Sequence, residues 1–125
     1  MERHDLSIGT FTFHEEGYVH AEANEGVEVT SEIAQEIFAL AHEFFERPFG
    51  FLIDRKHDYS VNFDVYQIMT ADVMIRAVAV VARRQRSKII TRAEKTFLKT
   101  MDYAVFEDLD EAREWILERV RTPSK

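Results

Sequence analysis

The residue types best suited to chemistry in this chain of 125 residues gather in one stretch, FGFLIDRKHDYSVNFDV, at positions 49–65. An apolar run stops at Asp54, and Arg55, Lys56, His57, Tyr59 and Ser60 follow within six residues. The carboxyl end of a central strand is where open α/β sheets place their ligands. A carboxylate there could accept a phosphoryl group or hold a cation. It could equally receive backbone N–H groups and start the loop. His57 and Ser60 are of the types needed for a base and a nucleophile, which must lie within hydrogen-bond reach. No G-x-S-x-G elbow and no oxyanion-hole glycine accompany them. The four glycines, Gly9, Gly17, Gly26 and Gly50, are too scattered for a phosphate loop or a dinucleotide fingerprint. A zinc site wants ligands at spacings such as H-x-x-x-H or H-x-E with three or more converging, and the five histidines, His4, His14, His20, His42 and His57, are read as forming no such set. His14 and His20 can at most face each other across a hairpin. There is no cysteine, hence no thiolate site, disulfide or cysteine nucleophile. These absences predict a protein that is not an enzyme and has no metal site and no cofactor.

The second group is cationic. Residues 83–92, RRQRSKIITR, carry five basic side chains and no acid, in a chain with 16 basic and 23 acidic residues. The net charge of −7 argues against a general nucleic-acid surface, because phosphate binding rests on excess Lys and Arg. Arg83, Arg84, Arg86 and Lys88 follow the apolar run AVAVVA, as Arg55 and Lys56 follow FGFLI. If both runs are parallel strands, the cations share one end of the sheet with the positive ends of the helix dipoles. Such a rim would dock a phosphate, a lipid headgroup or an acidic partner surface. A solvated loop balancing nearby acids is the simpler alternative.

The elements that must position these residues are legible from periodicity. GTFTFH and YVHAEA alternate around the turn EEG, which gives a β-hairpin with Gly17 at positive φ. Thr30 or Ser31 can cap a helix in which Ile33, Ala34, Ile37, Leu40, Ala41 and Phe44 recur at helical spacing, stopped by Pro48. FGFLI and AVAVVA are continuously apolar, as in strands covered on both faces. Between them, Asn62 can cap a helix through Val65, Ile68, Met69 and Val73. A third helix is predicted through Ile89, Ile90, Ala93 and Phe97, then a short strand at YAVF. A final helix starts at Asp108 with Glu111 in capping-box spacing, and its stripe includes Trp115, expected to be mostly buried. The order is β, β, α, β, α, β, α, β, α. It predicts one α/β domain over residues 1–125, with a mixed five-stranded sheet, an N-terminal antiparallel hairpin and about four helices.

That order and three segments resemble the STAS-like, or SpoIIAA-like (anti-sigma-factor-antagonist-like), family. The segments are FTFHEEGYVHAEANEGVEVTSEIAQEI, FGFLIDRKHDYSVNFDV and YAVFEDLDEAREWI, which together run over roughly residues 10–118. In sporulation-type members a serine in an Asp-Ser-Ser-Gly stretch is phosphorylated by a partner kinase. Here the corresponding stretch is Ser60-Val61-Asn62-Phe63, and it agrees only in Ser60. The resemblance is closer to small stand-alone members, some related to lipid-binding SEC14-type domains. It implies a non-catalytic regulatory or interaction module that meets a protein partner through the loops after the central strands. The alternative is a carrier or sensor of a small amphipathic or anionic ligand. Its tail would lie among Phe49, Phe63, Tyr66 and Met69, and its head on the arginines. On either reading the binding residues are Asp54, Arg55, Lys56, Ser60, Phe63, Arg83, Arg84, Arg86 and Lys88. No apolar run reaches the roughly 20 residues of a membrane span, and MERHDLSIGT has no signal-peptide core. The expected location is therefore the cytoplasm, with peripheral membrane contact and homodimerisation both compatible.

Overall fold

The structure is a computed structural model that describes residues 1–98 and 100–121, Arg86 by its backbone alone. The strands are β1 (Glu2–Leu6), β2 (Gly9–His14), β3 (Tyr18–Ala23), β4 (Glu28–Val29), β5 (Phe49–Arg55), β6 (Ser60–Val61), β7 (Ile75–Ala82) and β8 (Asp102–Phe106). The helices are α1 (Ser31–Phe44), α2 (Phe63–Ala71), α3 (Gln85–Phe97) and α4 (Leu109–Arg121). Six strands form one sheet in the order β1-β2-β3-β5-β7-β8. The first three are antiparallel, and β3, β5, β7 and β8 run parallel. The short strands β4 and β6 pair with each other in parallel, apart from this sheet.

The predicted hairpin is β2–β3, and Gly17 at its turn has φ 126°. Both continuously apolar runs are interior strands, as buried parallel strands should be. The sheet has one strand more than expected. In β1 the half-buried residues are His4 and Leu6, alternating with exposed Arg3 and Asp5. Two such positions are too few for a period-2 signal, and pairing to β2 orders the segment instead.

The larger core lies between one sheet face and α1 and α2, where Phe11, Phe13, Phe38, Phe49 and Phe51 cluster. The smaller one lies under α4, whose Ala112 and Ile116 meet Leu52, Ala77, Ala79 and Val81. Trp115 is mostly but not fully buried, as expected, packed against this second core. Its ring lies 5.8 Å from that of Phe106, with the Arg119 guanidinium 5.2 Å above it. It sits at the margin of a stripe centred on Ala112 and Ile116, so its truncation should cost less than the loss of a fully buried Trp.

Two caps are as predicted. Thr30 Oγ1 accepts from the Ile33 N–H at 3.3 Å, and Asn62 Oδ1 accepts from the Asp64 N–H at 3.0 Å. Asn62→Ala is expected to lower stability by about 1 kcal/mol in urea denaturation, because an orphan donor at the start of α2 loses its acceptor.

Helix α3 presents a different face from the one its apolar residues suggest. Ile89 and Phe97 are about half exposed, whereas Ser87, Thr91, Glu94 and Leu98 are buried. These four follow at intervals of four, three and four, a helical stripe that is polar at three of its positions. A polar stripe turned inward requires partners inside.

Candidate functional site

Ser87 Oγ donates to Asp58 Oδ1 at 3.1 Å, and the partner of Thr91 and Glu94 is Arg55. Side chains alternate along β5, so Phe51, Ile53 and Arg55 face α1–α3 while Leu52 and Asp54 face the other way. Arg55 is 4% exposed. Its Nη2 donates to Glu94 Oε2 at 2.5 Å, and its Nη1 donates to Thr91 Oγ1 at 3.2 Å. Tyr66 of α2 donates its hydroxyl to the same Glu94 oxygen at 2.5 Å. Tyr103 of β8 reaches Glu94 Oε1 at 3.4 Å. The Arg55 guanidinium carbon lies 5.3 Å from the centre of the Tyr59 ring. One buried donor is left over, since Arg55 Nε has no hydrogen-bond partner. An unsatisfied buried polar group is costly, which makes it a marker for something that can complete it.

This polar group closes one side of a cavity of about 80 Å³. A single water needs roughly 10–15 Å³ by this measure, so the space suits a group of several heavy atoms. The floor is the sheet, with Phe11, Ala21, Ala23, Phe51 and Ile53; the walls are Ala34, Ile37 and Phe38 of α1 and Val65 and Met69 of α2. Three alanines where larger residues would fill the core are what leave the room. Val29 and Val61 of the β4–β6 pair form the roof. That pair is held by the Gly26 N–H donating to Asp58 O (2.8 Å), Ser60 N–H to Val27 O (3.0 Å) and Asn62 N–H to Val29 O (2.9 Å).

Burial, reinforced by the Glu94 carboxylate, pushes the phenols of Tyr66 and Tyr103 up. Burial also raises Tyr59 and Tyr18. All four tyrosines therefore stay neutral in the folded protein well past the usual phenol range. A group whose folded pKa exceeds its unfolded one loses its stabilising contribution as pH rises above the unfolded value. Stability should accordingly fall from about pH 10 upward. Absorbance at 295 nm should show tyrosinate appearing together with unfolding, and its appearance in the native protein near pH 10 would contradict this.

The expected binding residues are only partly brought together. Arg55 is withdrawn from any surface rim and neutralised by Glu94, because a guanidinium on the inward side of β5 must be paired once buried. Arg84 is exposed and lies 3.6 Å from both Glu25 and Asp58; Lys88 is paired with Glu107. Arg83 is exposed, and the Arg86 side chain lies outside the described residues. Ser60 is exposed on β6. Phe63 is half exposed and meets Phe97 edge-on, with ring centres 4.9 Å apart. Of the expected tail contacts, Tyr66 and Met69 line the cavity. Phe49 instead sits in the packed core, stacked on Phe45.

On the opposite face Asp54 is 1% exposed, and its Oδ2 lies 3.0 Å from His20 Nε2. His20 Nε2 is in turn 3.5 Å from Glu22 Oε1, and Lys56 Nζ approaches Glu22 Oε2 at 3.3 Å and Asp54 Oδ2 at 3.9 Å. One ligand atom each from His20, Glu22 and Asp54 can be chosen so that all lie within 4.8 Å of one another. The missed signal was His20-Ala21-Glu22. It has the H-x-E spacing that zinc sites use and was passed over; on a strand this spacing puts an imidazole and a carboxylate on the same face, and Asp54 joins them from 34 residues away.

No family model matches the sequence, and no curated protein matches it. Among solved structures the chain is similar to an uncharacterized protein of the DUF3478 family from Shewanella loihica PV-4, described as having a SpoIIAA-like fold. The TM-score is 0.56 at 18% identity, with 85% of this chain and 90% of that one covered. The fold is thus SpoIIAA-like, as the three sequence segments implied. Among the described residues no helix is long and apolar enough to cross a membrane.

Proposed function

We propose that this SpoIIAA-like domain is a non-catalytic carrier or sensor of a small amphipathic molecule. The observation that carries the reading is the apolar cavity whose lining includes Arg55, Glu94, Tyr66 and Tyr103, with the buried Arg55 Nε left without a partner. Ligand sites are mostly apolar, with a few placed polar groups that fix orientation. Here the apolar part is the alanine-lined space, and the placed group is the Arg55–Glu94–Tyr66–Tyr103 network. Because Glu94 already balances Arg55, the network needs no anionic head. It asks for a hydrogen-bond acceptor, such as a carbonyl, hydroxyl or carboxyl oxygen on a short acyl or aryl group. The surface arginines take no part in this reading.

Native mass spectrometry of the purified protein tests it, together with NMR titration against hexanoate, octanoate and benzyl alcohol. Shifts should concentrate at Tyr59, Tyr66 and Tyr103. Ala34→Leu, which fills the cavity, should weaken binding by tenfold or more, about 1.4 kcal/mol. No co-purified molecule and no shifts with any of the three would overturn it.

A protein-contact reading is favoured by one separate observation, the exposed pair Phe63 and Phe97 beside Tyr66. Aromatic side chains are enriched at interfaces. On that reading Phe63→Ala abolishes partner capture and leaves ligand titrations unchanged.

A further inference from the structure

We propose that His20, Glu22 and Asp54 form a binding site for a first-row divalent metal ion of the zinc class, on the sheet face opposite the cavity. The backbone builds the site before any ion arrives. His20 and Glu22 are two residues apart on β3, so they project from one face. The parallel register pairs Ala21 with Ile53 and, continued by one residue, sets Glu22 beside Asp54. The distances from His20 Nε2, 3.0 Å to Asp54 Oδ2 and 3.5 Å to Glu22 Oε1, are close to the spacing of ligands around one ion. With metal–ligand bonds of about 2.0–2.2 Å, tetrahedral or octahedral ligands lie roughly 3–3.5 Å apart.

A second observation points to a ligand independently of this clustering. The Asp54 carboxylate is almost fully buried: its Oδ2 faces His20 Nε2, while its second oxygen, Oδ1, has no hydrogen-bond partner. A buried carboxylate left half-satisfied is destabilising unless something cationic completes it. The Lys56 ammonium leaves Oδ1 unpartnered: its Nζ stands 3.9 Å from Oδ2, and its side chain is half exposed. It is a monovalent cation near a place where two carboxylates and an imidazole converge. A divalent ion there would neutralise both carboxylates and release Lys56 to solvent.

The donor set narrows the ion. One imidazole with two carboxylates suits a borderline first-row ion, whereas calcium and magnesium prefer all-oxygen cages. Zinc accepts N and O ligands together, and three protein ligands leave a position open, as in zinc sites that bind a further molecule. Asp54 and Arg55, adjacent on β5, would thus serve two sites on opposite faces of one strand.

The test is titration of the chelator-treated protein with CoCl2, read by visible d–d absorption, and with ZnCl2, read by calorimetry. Wild type should take up one ion per chain. Asp54→Asn and His20→Ala should weaken binding by about a hundredfold, the upper end of what losing even an outer-shell partner costs. Lys56→Ala should bind more tightly than wild type, because the competing ammonium is gone. His14→Ala should bind unchanged, which separates this site from a chance pair of hairpin imidazoles. Should the buried-site variants fail to fold, wild type and Lys56→Ala still decide, since the Lys56 side chain lies at the surface. Uptake by neither, affinity unchanged in a folded His20→Ala, or uptake abolished by His14→Ala would each overturn the proposal.

Discussion

Glu94→Leu is expected to destabilise the protein by about 3–5 kcal/mol, the cost of stranding a buried charge without its partner. Glu94 and Arg55 are each about 4% exposed, so water cannot take over the lost contact. The strong ion pair at 2.5 Å would disappear, and the Tyr66 and Tyr103 hydroxyls would lose their shared acceptor. Arg55 cannot escape by losing its proton. Burial works to lower its pKa, but its neighbours outweigh that and hold it above the usual range. The informative variant is therefore the double one. Arg55→Met with Glu94→Leu removes both charges and keeps apolar volume, and buried pairs replaced in this way are often neutral or even stabilised. Urea denaturation of the two single variants and the double should show the double well above either single. If Glu94→Leu alone stayed within about 1 kcal/mol of wild type, the network would be contributing little. Under the carrier reading, the folded double variant should keep its cavity and lose selectivity for ligands with an acceptor oxygen.

This network also shows where sequence legibility ends. The strands at 49–55 and 75–82 and the caps at Thr30 and Asn62 follow from local rules, since continuous apolar runs and N-cap chemistry need no tertiary information. Helix α3 does not. Its apolar residues Ile89, Ala93 and Phe97 suggest one buried face, yet Ser87, Thr91 and Glu94 are the ones inside. The burial of Glu94 depends on Arg55, 39 residues earlier in the chain. Arg55 in turn read as exposed because it follows an apolar run, whereas β5 continues through it and alternation turns it inward. The cation cluster has the same character. His20-Ala21-Glu22 becomes a site only once β5 lies beside β3 and delivers Asp54. The edge strand β1 was hidden for a different reason, its inward positions being only His4 and Leu6. In the other cases a polar side chain is buried by a partner distant in sequence, and a reading based on hydrophobic period passes over it.

The scaffold that holds β5 in place can be tested apart from the site. Ile116→Ala should cost about 2–5 kcal/mol, since this side chain of α4 is fully buried against the sheet. Gly50→Ala on β5 should also destabilise, by roughly 1–3 kcal/mol, through overpacking. A Cβ at Gly50 would stand 2.5 Å from Ile116 Cγ1, 2.7 Å from Cδ1 and 3.2 Å from the Ala77 carbonyl oxygen. Glycine at this position is what allows α4 to approach β5 so closely. The two costs share a cause, so they should not add. In the double variant the new methyl enters space vacated by the Ile116 side chain, relieving the collision and filling part of the void. Urea denaturation should place the double variant above the sum of the singles by on the order of 0.5–3 kcal/mol, the range found for residues in direct contact. Strict additivity would mean that α4 does not pack over Gly50 as described. The cavity lies on the other face of the sheet, so the folded double variant should bind short acyl or aryl ligands as wild type does. A tenfold change in that affinity would show that α4 and the cavity are coupled through β5.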